Sequence, residues 1–133
     1  MSTAPAATCA MAASTKTPPP ACIALIVANA AAMGERLQAG LATLKDHPLV
    51  GEVRGVGLIA GIELVTDKAA KLAAQPPGSM AAKAFGLIQE RGVILRAIGD
   101  TLAVCPPLIV EPQHIDRIVQ TTREGLDALA ASM

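Results

Sequence analysis

Between residues 23 and 44 apolar side chains recur at steps of three and four: Ile26, Ala30, Met33, Leu37, Leu41 and Leu44. That period predicts an amphipathic helix. Gly34 and Gly40 weaken it by roughly 1 kcal/mol each relative to alanine. His47-Pro48 ends it, because proline disfavours helical backbone in the residue before it. The period then changes to two. In "EVRGVGLIAGIELV" (residues 52–65) the set Val56, Leu58, Ala60, Ile62 and Leu64 shares one parity after Arg54. This predicts one long strand with a well-buried face. The opposite parity carries Gly55, Gly57 and Gly61, and glycines on a strand face mark the close approach of another backbone or surface.

"TDKAAKLAAQPPGS" reads as a loop with its turn at Pro76-Pro77-Gly78, and Ser79 as the cap of a helix to about Arg91. Ala82, Phe85, Leu87 and Ile88 are its expected contacts. Gly92 ends it, since a residue just past a helix often needs left-handed backbone. Strands follow at residues 93–95 and 101–105, joined through Ile98-Gly99-Asp100 and closed by Pro106-Pro107, which cannot donate to a ladder. After Glu111-Pro112, proline suits a first helical turn. Ile115, Ile118, Val119, Thr122, Leu126 and Leu129 form one apolar stripe. Asp116, Arg117, Gln120, Arg123 and Asp127 lie on the other side and read as a solvated face. The order helix, long strand, helix, hairpin, helix predicts an α+β layer with a small antiparallel sheet covered by helices.

Residues 1–22 differ in character. They are built from Ala, Thr, Ser and Pro without either period and are expected to be a disordered low-complexity segment. The folded domain is expected over 23–133. Lys16 and the apolar run 21–28 loosely imitate a signal peptide, but the run is short and flows straight into the helical pattern. No stretch is long enough to span a bilayer.

Composition narrows the picture. Of 133 residues 52% are hydrophobic, yet Phe85 is the single aromatic. Much of the apolar content is alanine, so the core rests on Leu, Ile and Val, at roughly 1.5–3 kcal/mol per fully buried side chain. A chain this short buries a modest fraction of its surface and is expected to lean on a partner. Eleven basic residues balance eleven acidic ones. With no basic stripe and no stacking aromatics, nucleic-acid binding is disfavoured. Cys9, Cys22 and Cys105 have no C-x-x-C spacing and are expected to be reduced thiols in a cytoplasmic chain.

Gly55, Gly57 and Ala60 fit G-x-G-x-x-A, the spacing of a dinucleotide cradle. That cradle needs a helix opening within the glycines and an acidic residue about 20 positions on. Here β-branched residues continue the strand, and Gln75-Pro76-Pro77 stands in the acidic place, so the fingerprint fails. His47 and His114 lack spaced co-ligands; a turn and a helix surface are their expected settings. Glu52 and Glu63 lie on opposite parities of one strand and are not expected to converge. Lys16, Lys45, Lys68, Lys71 and Lys83 read as surface residues, without the desolvated surroundings a Schiff-base lysine needs. Arg96 has two readings: an exposed hairpin arginine paired with Asp100, or a guanidinium placed to grip a carboxylate bidentately.

Three stretches in order, "HPLVGEVRGVGLIAGIELV", "GVILRAIGDTLAVCPPLIV" and "IDRIVQTTREGLDAL", together resemble the C-terminal domain of class III pyridoxal-phosphate-dependent aminotransferases. "NAAAMGERLQAGLATL" resembles the helix that enters that domain. The resemblance runs from Asn29 to the end. It implies the small domain of a dimeric fold type I enzyme that moves an amino group between an ω-amino acid or amine and a keto acid. In the full-length family pyridoxal 5'-phosphate is the electron sink. Its lysine and its pyridinium-pairing aspartate sit in a large domain that nothing here matches. The chain is therefore expected to be an enzyme fragment, inactive alone and binding no cofactor stably. Its partners would be the missing large domain or a homodimer partner. Arg96 stands where ω-amino acid:pyruvate-type members receive the substrate carboxylate, and Ala103 stands near the arginine of the 4-aminobutyrate branch. Arg54 with Gly55 and Gly57 matches the family's "RG-x-G" strand, where its role is structural. The first residues depart from the family, as in a truncated or frame-disrupted product. A non-catalytic α+β interaction module, binding through the glycine face, is the alternative from another class.

Overall fold

The computed structural model describes residues 20–133. Helix α1 (Pro20–Ala42) runs into a short 3-10 turn, Thr43–Asp46, and then into strands β1 (Val50–Val56) and β2 (Ile59–Leu64). Helix α2 (Ser79–Glu90), strands β3 (Arg96–Ile98) and β4 (Thr101–Val104), and helix α3 (Pro112–Ala131) complete the order. The four strands form one sheet in the order β1-β2-β4-β3, every pair antiparallel. The fold is the expected α+β layer with a small antiparallel sheet. Of the segment 1–22 expected to be disordered, residues 1–19 lie outside the described part, and 20–22 open α1.

The largest departure is at residues 52–65, which form a hairpin and not one strand. Val56 pairs with Ile59 across a two-residue turn, and Gly57 adopts φ +56°. Such turns twist with the strands only when a central residue takes positive φ, which glycine does at least cost. The parity argument therefore holds only beyond the turn. Leu58, Ala60, Ile62 and Leu64 are buried, whereas Val56 on the same parity is exposed.

The expected close approach at the glycines is made by α1. A Cβ on Gly34 would stand 2.7 Å from the Gly57 Cα. The Gln38 amide clamps the same turn by donating to the carbonyls of Gly57 and Ile59, at 2.8 and 3.2 Å. Gly55 faces its own hairpin partner, where a Cβ would meet the Ile59 carbonyl oxygen at 2.4 Å.

Helix α2 begins at Ser79, but Ser79 does not cap it. The N-cap is Gly78, at φ +82°, and its amide donates to Asp100 Oδ1 at 2.9 Å. The cap thus comes from the β3–β4 turn, 22 residues away. The far end follows the sequence expectation. Gly92, at φ +93°, and Val93 donate back to the carbonyls of Gln89 and Ile88, the paired bonds of a Schellman motif. Met80, Ala81, Ala84 and Ile88 face the core, with Phe85 and Leu87 half-buried; Ala82 is exposed.

The core lies between one sheet face and the helices. Leu37, Leu41, Leu44, Ile62, Leu64, Ile88, Leu102, Ile115 and Leu126 are fully buried there. The expected solvated face of α3 is partly tied to the front of the chain. Arg36 holds Asp116 through two bonds of 2.8 and 2.7 Å. That charge-assisted bonding keeps the Asp116 carboxyl below its ordinary range. Arg123 donates to the Thr43 carbonyl at 2.7 Å. His47 sits in a turn, as expected, but is buried: its Nδ1 accepts the Leu49 N–H and its Nε2 lies 3.1 Å from Asp127. His114 is on the α3 surface, where its Nδ1 accepts the Glu111 N–H and closes the helix start.

Candidate functional site

The sheet face that carries Ala60, Ile62, Leu102 and Val104 is buried: α1 packs on β1, α2 packs on β3 and β4, and α3 lies against both helices. The other face is open. Register places Arg54, Gly61, Ala103 and Arg96 in one row across that open face. The row spans three interstrand steps, about 14 Å between the two arginine backbones.

The two arginines differ in their surroundings. Glu52 and Glu63, expected to stay apart, are direct cross-strand partners because the segment folds back as a hairpin. Like charges so placed repel, and Arg54 lies between them, 3.2 Å from Glu52 and 3.8 Å from Glu63. That guanidinium is occupied, which agrees with a structural role. Arg96 is exposed and, among the described residues, has no hydrogen-bond or ion-pair partner. The expected alternative partner, Asp100, is already bonded to the Gly78 amide.

Arg96 begins β3, three residues later than the strand start read from the sequence, and pairs with Ala103. Gly99 at φ +57° makes the tight turn that sets this register. At the other end of the hairpin Pro106 and Pro107 have no N–H to offer, so the ladder stops at Val104 and the strands part. Between them opens a groove of about 430 Å³. Residues 93–96 line one side, 103–107 the other, and Ile118 of α3 also contributes. Arg96 is its one charged lining residue. Proline placement, strand parting, groove and free cation are steps of one physical sequence.

Other chemistry is sparse. Among the described residues no cluster of His, Cys, Asp and Glu could hold a metal ion. Cys105 is a free exposed thiol on the groove wall. Cys22, expected to be reduced, is disulfide-bonded. The four described lysines are all exposed, and the Lys68 ammonium donates to the Lys45 carbonyl. Among the described residues no helix is long and apolar enough to cross a membrane.

The family description "Aminotransferase class-III" matches residues 3–126. The chain belongs to the class-III aminotransferases. The match starts well before Asn29, where the motif resemblance begins. Putrescine–pyruvate aminotransferase of Pseudomonas aeruginosa is 39% identical over 95 residues, which cover 68% of this chain and 20% of that protein. A solved transaminase structure is 55% identical with a TM-score of 0.80, covering 83% of this chain and 26% of its own. The ω-transaminase of Pseudomonas jessenii, solved in complex with PMP, is 45% identical with a TM-score of 0.78, covering 82% and 24%. The chain thus spans a fifth to a quarter of the length of these aminotransferases.

The residues described here do not fit the pyridoxal phosphate that the family implies. A cofactor lysine needs a desolvated amine, whereas Lys45, Lys68, Lys71 and Lys83 all lie on the surface. What this aminotransferase chain does offer is a wall: an open sheet face, an apolar groove and, in its lining, a guanidinium unpaired among the described residues. The sequence pointed to Arg96 and its hairpin. It missed the Glu52–Arg54–Glu63 cluster and the Asp100 cap, which both depend on a register that only the folded hairpins create.

Proposed function

We propose that this chain is the small-domain share of a pyridoxal-phosphate-dependent transaminase that moves an amino group between an ω-amino acid or amine and a keto acid. It closes one side of the substrate pocket, and Arg96 orients the substrate carboxylate. The single observation that carries this reading is the state of Arg96: exposed, its guanidinium unpaired among the described residues, and lining an apolar groove. A guanidinium left free in that setting can take a carboxylate through two parallel bonds. The open sheet face needs a cover, and the longer relatives provide the rest of an enzyme to cover it. The cofactor would be held by that remainder, because no lysine described here can serve. The interaction-module alternative draws no support from the relatives found.

The test is a chimera. Residues 29–133 replace the matching segment of the P. jessenii ω-transaminase, and transfer of an amino group to pyruvate is measured. Turnover is expected. R96Q in the chimera is expected to raise KM for carboxylate-bearing substrates roughly 10- to 100-fold, as losing a charge-assisted pair does, while leaving plain amine donors little changed. A soluble, cofactor-loaded chimera without transamination overturns the proposal. So does turnover by the 133-residue chain on its own.

A further inference from the structure

We infer that Asn29, on α1 and outside the groove, is a positioning residue that holds the segment 106–110 and so sets how bulky a substrate the groove admits. The inference rests on the reading of this groove as part of a transaminase substrate pocket. It concerns the apolar part of the substrate, not its charge.

The Asn29 side-chain amide donates to the Leu108 carbonyl at 2.8 Å and to the Val110 carbonyl at 3.0 Å, across 79 and 81 positions of chain. Both of its N–H groups are thereby used. Among the described residues these are the only hydrogen bonds that reach residues 106–110 from another element. The segment's other bond is internal, from the Val110 N–H to the Pro107 carbonyl at 3.0 Å. Side-chain packing adds little: Leu108 is 52% and Ile109 74% exposed, and Val110 alone of the five is buried. The β4 ladder has already stopped at Val104.

Pro106 and Pro107 line the groove. Their rings fix φ, so they follow Leu108 as a stiff unit, and a clamp on Leu108 is a clamp on that wall. The lining is apolar apart from Arg96, so this wall meets the uncharged part of a ligand. Its position decides bulk. Asn29 also lies in the middle of α1, where asparagine is a poor choice because its amide competes for backbone bonds. The two carbonyls it reaches give that choice a reason.

N29A, N29D and N29Q are made both in the 133-residue chain and in the chimera. Alanine is the better helix former, so N29A keeps α1. N29D has the same shape, but its carboxylate cannot donate and faces two carbonyls. N29Q keeps the donors on one more methylene. In the chain, hydrogen exchange at the Val110 amide is expected to rise about tenfold in N29A, more in N29D and less in N29Q, with the amides of α3 unchanged. In the chimera, with pyruvate as acceptor, N29A should raise kcat/KM for 1-phenylpropylamine relative to sec-butylamine about three- to tenfold. KM for pyruvate should hold, because Arg96 stands on β3 and not on the released segment. A merely structural role would lower kcat/KM for both amines by one factor.

Unchanged exchange at Val110 would overturn the clamp. Faster exchange with an unchanged ratio of the two amines, or an equal loss for both, would overturn the role in substrate size while leaving the functional proposal intact. A chimera with Asn29 in place that does not transaminate sinks the functional proposal and the substrate role resting on it; the exchange measurement still decides whether Asn29 holds the segment.

Discussion

Gly34 decides how α1 meets the β1–β2 hairpin, and replacing it with alanine sets two effects of opposite sign against each other. On helix propensity alone G34A should stabilise by roughly 1 kcal/mol, because glycine is the poorer helix former. Packing points the other way. Gly34 is buried, and the added Cβ would lie 2.7 Å from the Gly57 Cα, 2.8 Å from its carbonyl carbon and 3.2 Å from its oxygen. All three are backbone atoms of a tight turn, and Gln38 ties α1 to that turn through two carbonyls. No side chain can swing aside, so the overpacking penalty should reach the upper end of its range, about 3 kcal/mol. The net is a loss of about 2 kcal/mol, a fall in Tm of roughly 8 °C for a domain of this size. Gly86 supplies the control, since nothing lies within 4 Å of a Cβ built there. G86A should therefore gain up to about 1 kcal/mol. Urea unfolding followed by circular dichroism, with an unchanged m-value, measures both. If G34A proves as stable as the parent, the tight seating of α1 on the hairpin turn is refuted.

Other outcomes follow from single contacts. D100A removes the acceptor of the Gly78 amide and should cost about 1 kcal/mol, whereas D100N, which keeps an acceptor oxygen, should cost little; thermal melts of the two variants separate these cases. H47A leaves the Leu49 N–H of a buried residue without its acceptor and should destabilise by about 1–3 kcal/mol. In H47N a side-chain oxygen can take that bond, so its loss should be much smaller; denaturant midpoints read the difference. The Arg36 hydrogen bond holds Asp116 below its unfolded value. Its contribution is thus complete above the ordinary carboxylate range and disappears as pH falls through the lowered folded value. Acid titration of stability should show that component, D116N should lack it, and an identical acid profile in the two proteins would contradict the assignment.

How far the sequence could be read depended on whether a signal was local. The periods of α1, α2 and α3 were legible, because a helix buries a stripe that repeats along its own residues. So were Gly92 as a helix stop, Gly99 as a turn and Pro106-Pro107 as the end of β4, since each follows from the backbone chemistry of one or two residues. The candidate site was legible as Arg96 on a hairpin, with its likeness to a known domain carried by contiguous stretches. What failed were the non-local relations. The 52–65 segment has an apolar parity that stays in phase across Gly57-Leu58, so a period of two could not reveal that the chain turns there. That one missed turn kept Glu52 and Glu63 apart on paper and hid why Arg54 is occupied.

Burial of His47, the bond from Gly78 to Asp100 and the Arg36–Asp116 pair likewise join residues 22 to 80 positions apart. By itself the sequence determined which segments could be helix, strand or turn, because those choices rest on local sterics and periodicity. Only the tertiary structure decided which arginine is held and which is free, since that depends on which strands lie side by side.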